Sequence, residues 1–349
     1  MVEIKNEIHL EVDSENDDRR FDRWIKANLE SIPQSRIEFL CRKGRLKVNN
    51  QKVKASCRIY TGDIISFSKS LIEKISKDIS ARSDDLTENE IEMIRNSIIF
   101  EDDYLLAINK PSGVASQGGT GQSIHVDRLM SYFSSKINGK PKLVHRLDKE
   151  TSGVLVLAKT SKLATILTNY FKEGNVKKLY WALVAGKPPA NTGTIDFPLI
   201  KLKSKFGGKS FERIKCVTKS DDELIKNAKN AQSQYYLIES LAKRISWLVL
   251  SPITGRTHQL RVHLSEINCP VIGDKKYGKI TQENKGDGWG ALLGDQIENK
   301  LHLHARSIMF KHPINNEEII IEANLPDHME KSWKILGLDR NCAPTNPFI

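Results

Sequence analysis

The sequence predicts an α+β protein in two parts, a small helix-and-hairpin module followed by a larger, mostly antiparallel mixed-sheet domain with helices packed around it. Three observations carry this. Two short amphipathic patterns and a hairpin pattern fall within residues 19–70; short β-like runs separated by Gly and Pro begin at Ile98; and helical patterns are set among those runs. With 349 residues the chain has room for two or three domains, and 39% hydrophobic with 28% charged residues is an ordinary globular balance. Its longest apolar stretches, such as Gly153–Ala158, fall far short of the ~18 residues needed to cross a bilayer. A membrane partner is therefore not expected.

Taken in order, residues 1–18 carry one Lys against seven Asp or Glu and read as an acidic leader, the opposite of a secretory or transit signal. Five cysteines at 41, 57, 216, 269 and 342 include no CxxC pair, which fits a reducing, cytoplasmic setting. Residues 19–70 hold 13 Lys or Arg against 4 Asp or Glu, within a chain of net charge +11. Such a block suits phosphate contacts, although a solvated basic face explains the charge alone equally well. Within it, Phe21, Trp24, Ile25 and Leu29 form one helical stripe, and Ile37, Leu40 and Cys41 a second that Gly44 stops. RLKVNNQKVKA then alternates about Asn49-Asn50, a pair that tolerates the positive φ of a tight turn, and TGDIISF closes with a strand.

Residues 71–97 are polar and read as a linker with a helical end at Glu88 to Arg95. Residues 98–335 form the sheet domain, from YLLAINK through GVLVLAKT, LYWALVAG, QYYLIESL and SWLVLSP to LHLHARSIMF, with helices expected at 123–136 and, opening at a Ser cap, at 161–173. The polar stretch Lys201 to Ala231 reads as a basic surface insertion, GKITQENKGDGWGALLGDQ as a long loop, and 336–349 as a C-terminal tail.

LVHRLDKETSGVLVLAKT, from Leu143 to Thr160, places His145, Arg146, Asp148, Lys149 and Glu150 ahead of an apolar strand. Polar loops at strand ends are where rigid scaffolds present reactive groups. Asp148, with Arg146 and Lys149 close by, would be held ionised as a nucleophile or base, although a surface ion-pair loop has the same composition. His302 and His304 alternate along one strand and His258 and His263 sit five apart, but without a companion carboxylate or thiolate at ligand spacing no metal is expected.

HRLDKETSG, TGRTHQLRVHL at 254–264, IGDKKYG at 272–278, NKPSGV at 109–114 and KKLYWALVAG at 177–186 together resemble the RluA family of pseudouridine synthases. GGTG at 118–121 and the module in front look most like its RluC-like branch. The helix-helix-hairpin pattern of 19–70 itself resembles the alpha-L RNA-binding domain, whose RNA-facing positions match Arg36, Arg42, Lys43, Arg45 and Lys47. The resemblance implies isomerisation of uridine to pseudouridine in large-subunit (23S) ribosomal RNA or its assembly intermediates, without a cofactor; the sequence has no heptad run or other feature that calls for more than a monomer. It implies that Asp148 is the nucleophile on a flipped-out base, that Arg261 pairs with it, and that Tyr180 stacks on the base. It implies substrate-binding roles for Leu260 under the base, for Arg146 in the gap left by the extruded nucleotide, and for His145 and Arg256. The alternatives are a non-catalytic RNA-binding or ribosome-assembly factor, a synthase acting on another structured RNA such as transfer RNA, and a histidine-based metal hydrolase.

Overall fold

The computed structural model describes residues 7–29, 32, 34–68, 70, 86–118, 124–134, 139–206, 209–218, 222–278 and 296–348. The chain divides into two compact units, Met1–Asp85 and Leu86–Ile349. In the first, helices Phe21–Asn28 and Gln34–Arg42 pack on a four-stranded antiparallel sheet ordered Glu7–Glu11, Ile64–Ser68, Lys47–Val48, Gln51–Lys52. Of the predicted stripes, Phe21, Trp24, Ile25, Ile37, Leu40 and Cys41 are buried and share one core with Leu46, Ile59, Ile65 and Phe67, and Leu29 is partly buried against it. Each such apolar side chain contributes ~1.5–3 kcal/mol by leaving water. Asn49 and Asn50 take φ of 49° and 62°, as a two-residue turn twisted to match its strands requires.

Part of the acidic leader belongs to this sheet. Residues 7–11 pair in register with 64–68, with Ile8 and Leu10 turned toward the core between exposed Glu7, His9 and Glu11. An alternation of period two lay beneath the acidic composition. The proposed linker falls largely outside the described residues, but its end is the helix Glu88–Asn96, closed by a reciprocal Thr87–Glu90 capping box and burying Ile94.

The second unit is a ten-stranded mixed sheet. Across it run Thr192–Asp196, Gln232–Leu241, Ile245–Pro252, Lys177–Ala185, Leu303–Lys311, Ser152–Ala158, Leu105–Lys110 and Ile98–Glu101; Glu318–Glu322 also pairs with 303–311, and Lys142–Leu143 with 152–158. Every pairing is antiparallel except that of 152–158 with 303–311, where Ser152 lies opposite His304 and Gly153 opposite Ala305. At this crossing a Cβ on Gly153 would sit 2.2 Å from the Ala305 carbonyl oxygen, and its φ is +109°. Glycine is therefore dictated both by close approach and by backbone conformation.

Four sequence expectations differ here. The helix at 161–173 is capped by Thr160, whose hydroxyl accepts the Leu163 N–H, and Ser161 is its first residue. Of the helix expected at 123–136, the described residues 124–134 form only Val126–Leu129 and a 3₁₀ turn at Met130–Phe133. The insertion is a hairpin, Leu199–Phe206 with Lys209–Cys216, whose base buries Leu199, Ile214 and Cys216 with Val262 and Tyr277. Residues set aside as a tail pack inward, because Leu336, Leu338, Ala343 and Phe348 are apolar and cover a cluster built on Trp181, Trp247 and Trp333. Gly119–Gly121 of GGTG and residues 279–295 of the long loop lie outside the described residues.

Candidate active site

A cavity of about 600 Å³ opens where the loop carrying Asp148 meets the start of helix Gln259–Glu266. Of the predicted residues, Asp148, Tyr180, Arg261, Arg146, Leu260, His145 and Arg256 all line it, together with Lys178, Ile253 and His258. Tyr180 and Lys178 share one face of the strand Lys177–Ala185 because alternate side chains point the same way.

The loop between Lys142–Leu143 and Ser152–Ala158 is held chiefly by its backbone. Leu147 N–H donates to Ser116 Oγ (3.0 Å), which donates back to the Leu147 carbonyl (2.8 Å). Gly113 N–H donates to the Lys149 carbonyl (3.0 Å), and Ser112 Oγ to the Glu150 carbonyl (2.8 Å). Lys110, fully buried, donates its ammonium to the carbonyls of Pro111, Val114 and Lys149 at 2.8, 2.7 and 3.1 Å. Burial pushes Lys110 down to about 7, while Glu150 and Asp148 oppose that fall. NKPSGV is thus the cradle of the Asp148 loop, which is why that block accompanies HRLDKETSG in the sequence.

Asp148 keeps 19% of its side chain exposed. Oδ2 lies 3.6 Å from Arg261 Nη1 and 3.9 Å from His258 Nε2, and no hydrogen bond reaches Oδ1 among the described residues. The sequence expectation that Arg261 pairs with Asp148 is met only at this longer range. The guanidinium is primarily committed to Asp274, with Nε on Oδ2 and Nη2 on Oδ1, both at 2.7 Å. Asp274 is wholly buried; burial alone would raise its carboxyl, but Arg261 and the backbone N–H groups of Lys276 and Tyr277 outweigh this and hold it below the usual range. A bidentate clamp of this kind leaves the guanidinium one edge, and that edge faces Asp148.

The other residues divide. Burial, reinforced by the Asp148 charge, raises the Tyr180 hydroxyl above its ordinary value, which keeps it a neutral phenol. Leu260 is buried in the apolar core beside Tyr180. Arg146 is exposed at the rim, and Arg256 reaches the Asn230 carbonyl (3.0 Å) from a loop tied down by Gln259, whose Oε1 accepts from Arg256 N–H (3.0 Å) and Thr254 Oγ1 (2.7 Å). His145 works differently from the substrate-binding role expected of it. Its ring stacks on Phe171, its Nε2 accepts the Val156 N–H at 2.9 Å, and burial with Lys178 nearby pushes it down to about 3. It pins the loop to the strand as a neutral ring.

His302 and His304 are structural. His304 donates Nε2–H to the Ala323 carbonyl (3.2 Å) and accepts from Ser152 Oγ (2.9 Å), and His302 bonds the Lys300 carbonyl and Ser332. His263 joins Ser233 to the Phe197 carbonyl. Sequence reasoning passed over Asp274, Lys110, Lys178 and Tyr277 as individuals, and considered His258 only as a metal ligand, although all five lie inside the motif blocks. Lys178 lost charge stabilisation on burial, and no ion pair or hydrogen bond reaches its ammonium among the described residues.

In the first unit, Arg42, Lys43 and Arg45 are exposed and Arg36 and Lys47 half-exposed; Arg36 and Arg42 both lie over the Phe39 ring, at 5.7 and 5.9 Å. Arg42 also edges a groove of about 510 Å³ with Arg20, Lys52 and Lys54.

Residues 104–266 match the family model for RNA pseudouridylate synthase. The chain is 31% identical over 332 residues to ribosomal large subunit pseudouridine synthase C of Vibrio parahaemolyticus, covering 95% of this chain and 97% of the relative. It is 34% identical over 313 residues to the protein of the same name from Rickettsia felis, covering 88% and 93%. Among solved structures it resembles Human RNA Pseudouridylate Synthase Domain Containing 4, with 29% identity and a TM-score of 0.58 over 71% of this chain and 95% of the other.

Proposed function

Because the chain belongs to the RNA pseudouridylate synthase family, we propose that it converts particular uridines of large-subunit ribosomal RNA to pseudouridine, with Asp148 as the nucleophile. The observation that carries the reading is the Asp148 carboxylate itself, reachable from a cavity of nucleotide size, flanked by a clamped guanidinium and, among the described residues, without a hydrogen bond on Oδ1 and with only longer-range charge contacts on Oδ2. Isomerisation breaks the bond between the ribose and nitrogen 1 of the base and rejoins the sugar to carbon 5. A carboxylate captures the electron-deficient centre while the detached ring turns. The base must leave its stack to enter, so Tyr180 and Leu260 receive its faces, and Arg146 at the rim fills the space it vacates. Arg256 and Lys178 meet the flanking backbone. The five basic residues of the first unit, Arg36, Arg42, Lys43, Arg45 and Lys47, bind RNA phosphate by charge and without sequence preference.

Five free cysteines support a reducing cytoplasm, where ribosomal RNA and its assembly intermediates are found. The test is to incubate recombinant protein with large-subunit ribosomal RNA transcripts and with transfer RNA, and to map pseudouridine. Formation in the ribosomal transcript by wild type and none by Asp148→Asn is the expected result. Product in transfer RNA alone redirects the substrate, and rescue of a deletion strain by Asp148→Ala would convert the protein to an assembly factor.

A further inference from the structure

His258 occupies a backbone conformation that few side chains accept. Its φ of 54° and ψ of 19° are left-handed, immediately before the helix Gln259–Glu266. Of the positive-φ residues other than glycine among the described residues, five are Asn or Asp, Ala242 and Lys243 form the tip of a hairpin, and His258 alone lines the cavity. Strained positions of this kind persist where surrounding contacts over-determine them, and they gather at functional sites. Here the His258 carbonyl accepts the Val262 N–H (3.0 Å), and its ring Nδ1 lies 2.6 Å from the Tyr277 hydroxyl.

Counting protons assigns the ring. The Tyr277 oxygen already accepts the Ile214 N–H (3.3 Å), and its single proton has His258 Nδ1 as its partner among the described residues. An imidazole that accepts at Nδ1 carries its proton on Nε2. Nε2 lies 3.9 Å from Asp148 Oδ2, beyond hydrogen-bond range but close enough for this tautomer to put the positive end of its N–H dipole on the carboxylate's side, whereas the other would put a lone pair there. Burial lowers the imidazole, Asp148 opposes that fall, and Arg261 and Lys276 add to it while Asp274 also opposes it, a balance that favours the neutral ring.

We propose that His258 is a positioning residue whose tautomer is set by Tyr277, and that with Arg261 it steers Asp148 through Oδ2 so that Oδ1 is the attacking oxygen. The inference rests on the synthase reading for its catalytic consequence but not for its structural content. Oδ1 bonds to the ribose carbon as its bond to nitrogen 1 breaks and that electron pair leaves with the base, while Oδ2 remains against the two N–H groups. When the sugar is rejoined to carbon 5 the Oδ1 bond breaks and its electron pair returns to the carboxylate; carbon 5 then loses its proton to water, nitrogen 1 takes one up from water, and His258 neither gains nor loses a proton.

Two measurements test it. In the first, ¹⁵N-histidine NMR of the full chain, with His258 assigned by its loss in His258→Gln, reads the tautomer without reference to activity. The Nε2–H form is expected in wild type and a mixture in Tyr277→Phe; an Nδ1–H ring in wild type overturns the proposal even if the enzyme is active. In the second, single-turnover rates are compared on the ribosomal transcript that wild type modifies. His258→Leu is expected to lower the rate about 100-fold with little change in RNA affinity, and His258→Gln, which restores an N–H near the Nε2 position, to recover much of it. Tyr277→Phe is expected to cost about fivefold in wild type and nothing further in His258→Gln, because an amide has no tautomer to set. An equal loss in both backgrounds would make Tyr277 a packing residue only and overturn the proposal. Absence of pseudouridine with wild type would defeat the functional reading while leaving the NMR outcome to decide the tautomer.

Discussion

The same residue types behave in opposite ways in the two units. In the first unit Arg42, Lys43 and Arg45 stand in water with their charges screened, whereas in the second a single guanidinium is buried, clamped to Asp274 and turned to face Asp148. Exposed charges contribute little singly and add up through counterion release; a buried pair contributes through geometry, and removing one partner strands the other. Affinity for RNA is therefore expected to spread over many residues of the first unit, and chemistry to concentrate in a few of the second.

That contrast can be broken most decisively at Asp148. Asp148→Asn is expected to lower single-turnover pseudouridine formation by at least about 10⁴-fold while the circular dichroism spectrum and RNA affinity stay unchanged. Retained turnover would remove the distinction between the two units. Next comes Asp274→Asn, which keeps shape but releases the guanidinium from its clamp. A fall of about 100-fold in rate, with ~3 kcal/mol lost in urea denaturation, is expected from stranding a buried cation. A loss of stability without loss of rate would show that Asp274 serves folding alone.

Lys110 sharpens the comparison through pH. Its ammonium titrates near 10.5 in the unfolded chain and near 7 when folded, so between those values the unfolded chain holds a proton that the folded chain has released. Stability must then rise with pH across that window, by up to ~1.4 kcal/mol per unit, and fall as pH drops toward 7. Urea denaturation between pH 7 and 9.5 should show this slope in wild type and a flatter one in Lys110→Met. The smallest effects belong to the first unit. Arg42→Ala or Lys43→Ala should weaken RNA binding about threefold and lower the salt slope by about 0.7 to 0.9 per lost phosphate contact, with the rate at saturating RNA unchanged. A single one of these substitutions that abolished turnover would contradict the division.

Much of this architecture was legible in the amino-acid order because local signals agreed with the fold. Helical stripes at Phe21 to Leu29, the Asn49-Asn50 turn and the Asp148 loop were all readable from period and residue chemistry. What escaped had weak local signals or depended on distant pairing. The strand at residues 7–11 was masked by its acidic neighbours, and Leu336 to Phe348 gained meaning only from the tryptophan cluster that they cover. Arg261 and Asp274 are separated by a helix and a turn, so their mutual claim is a tertiary fact, and it demoted the expected contact with Asp148 to 3.6 Å. His145 had the chemistry of a ligand contact, and only the Val156 N–H at its Nε2 reveals an anchor.

The parallel crossing at Gly153 carries a consequence for which substitutions the sheet can absorb. Five residues beyond Asp148, the main chain rides so close to residue 305 that even alanine would force the strands apart. A position that admits no side chain thus lies just behind Asp148, and exchanging its one hydrogen atom for a methyl group is expected to disturb the sheet more than substitution of an exposed rim residue such as Arg146.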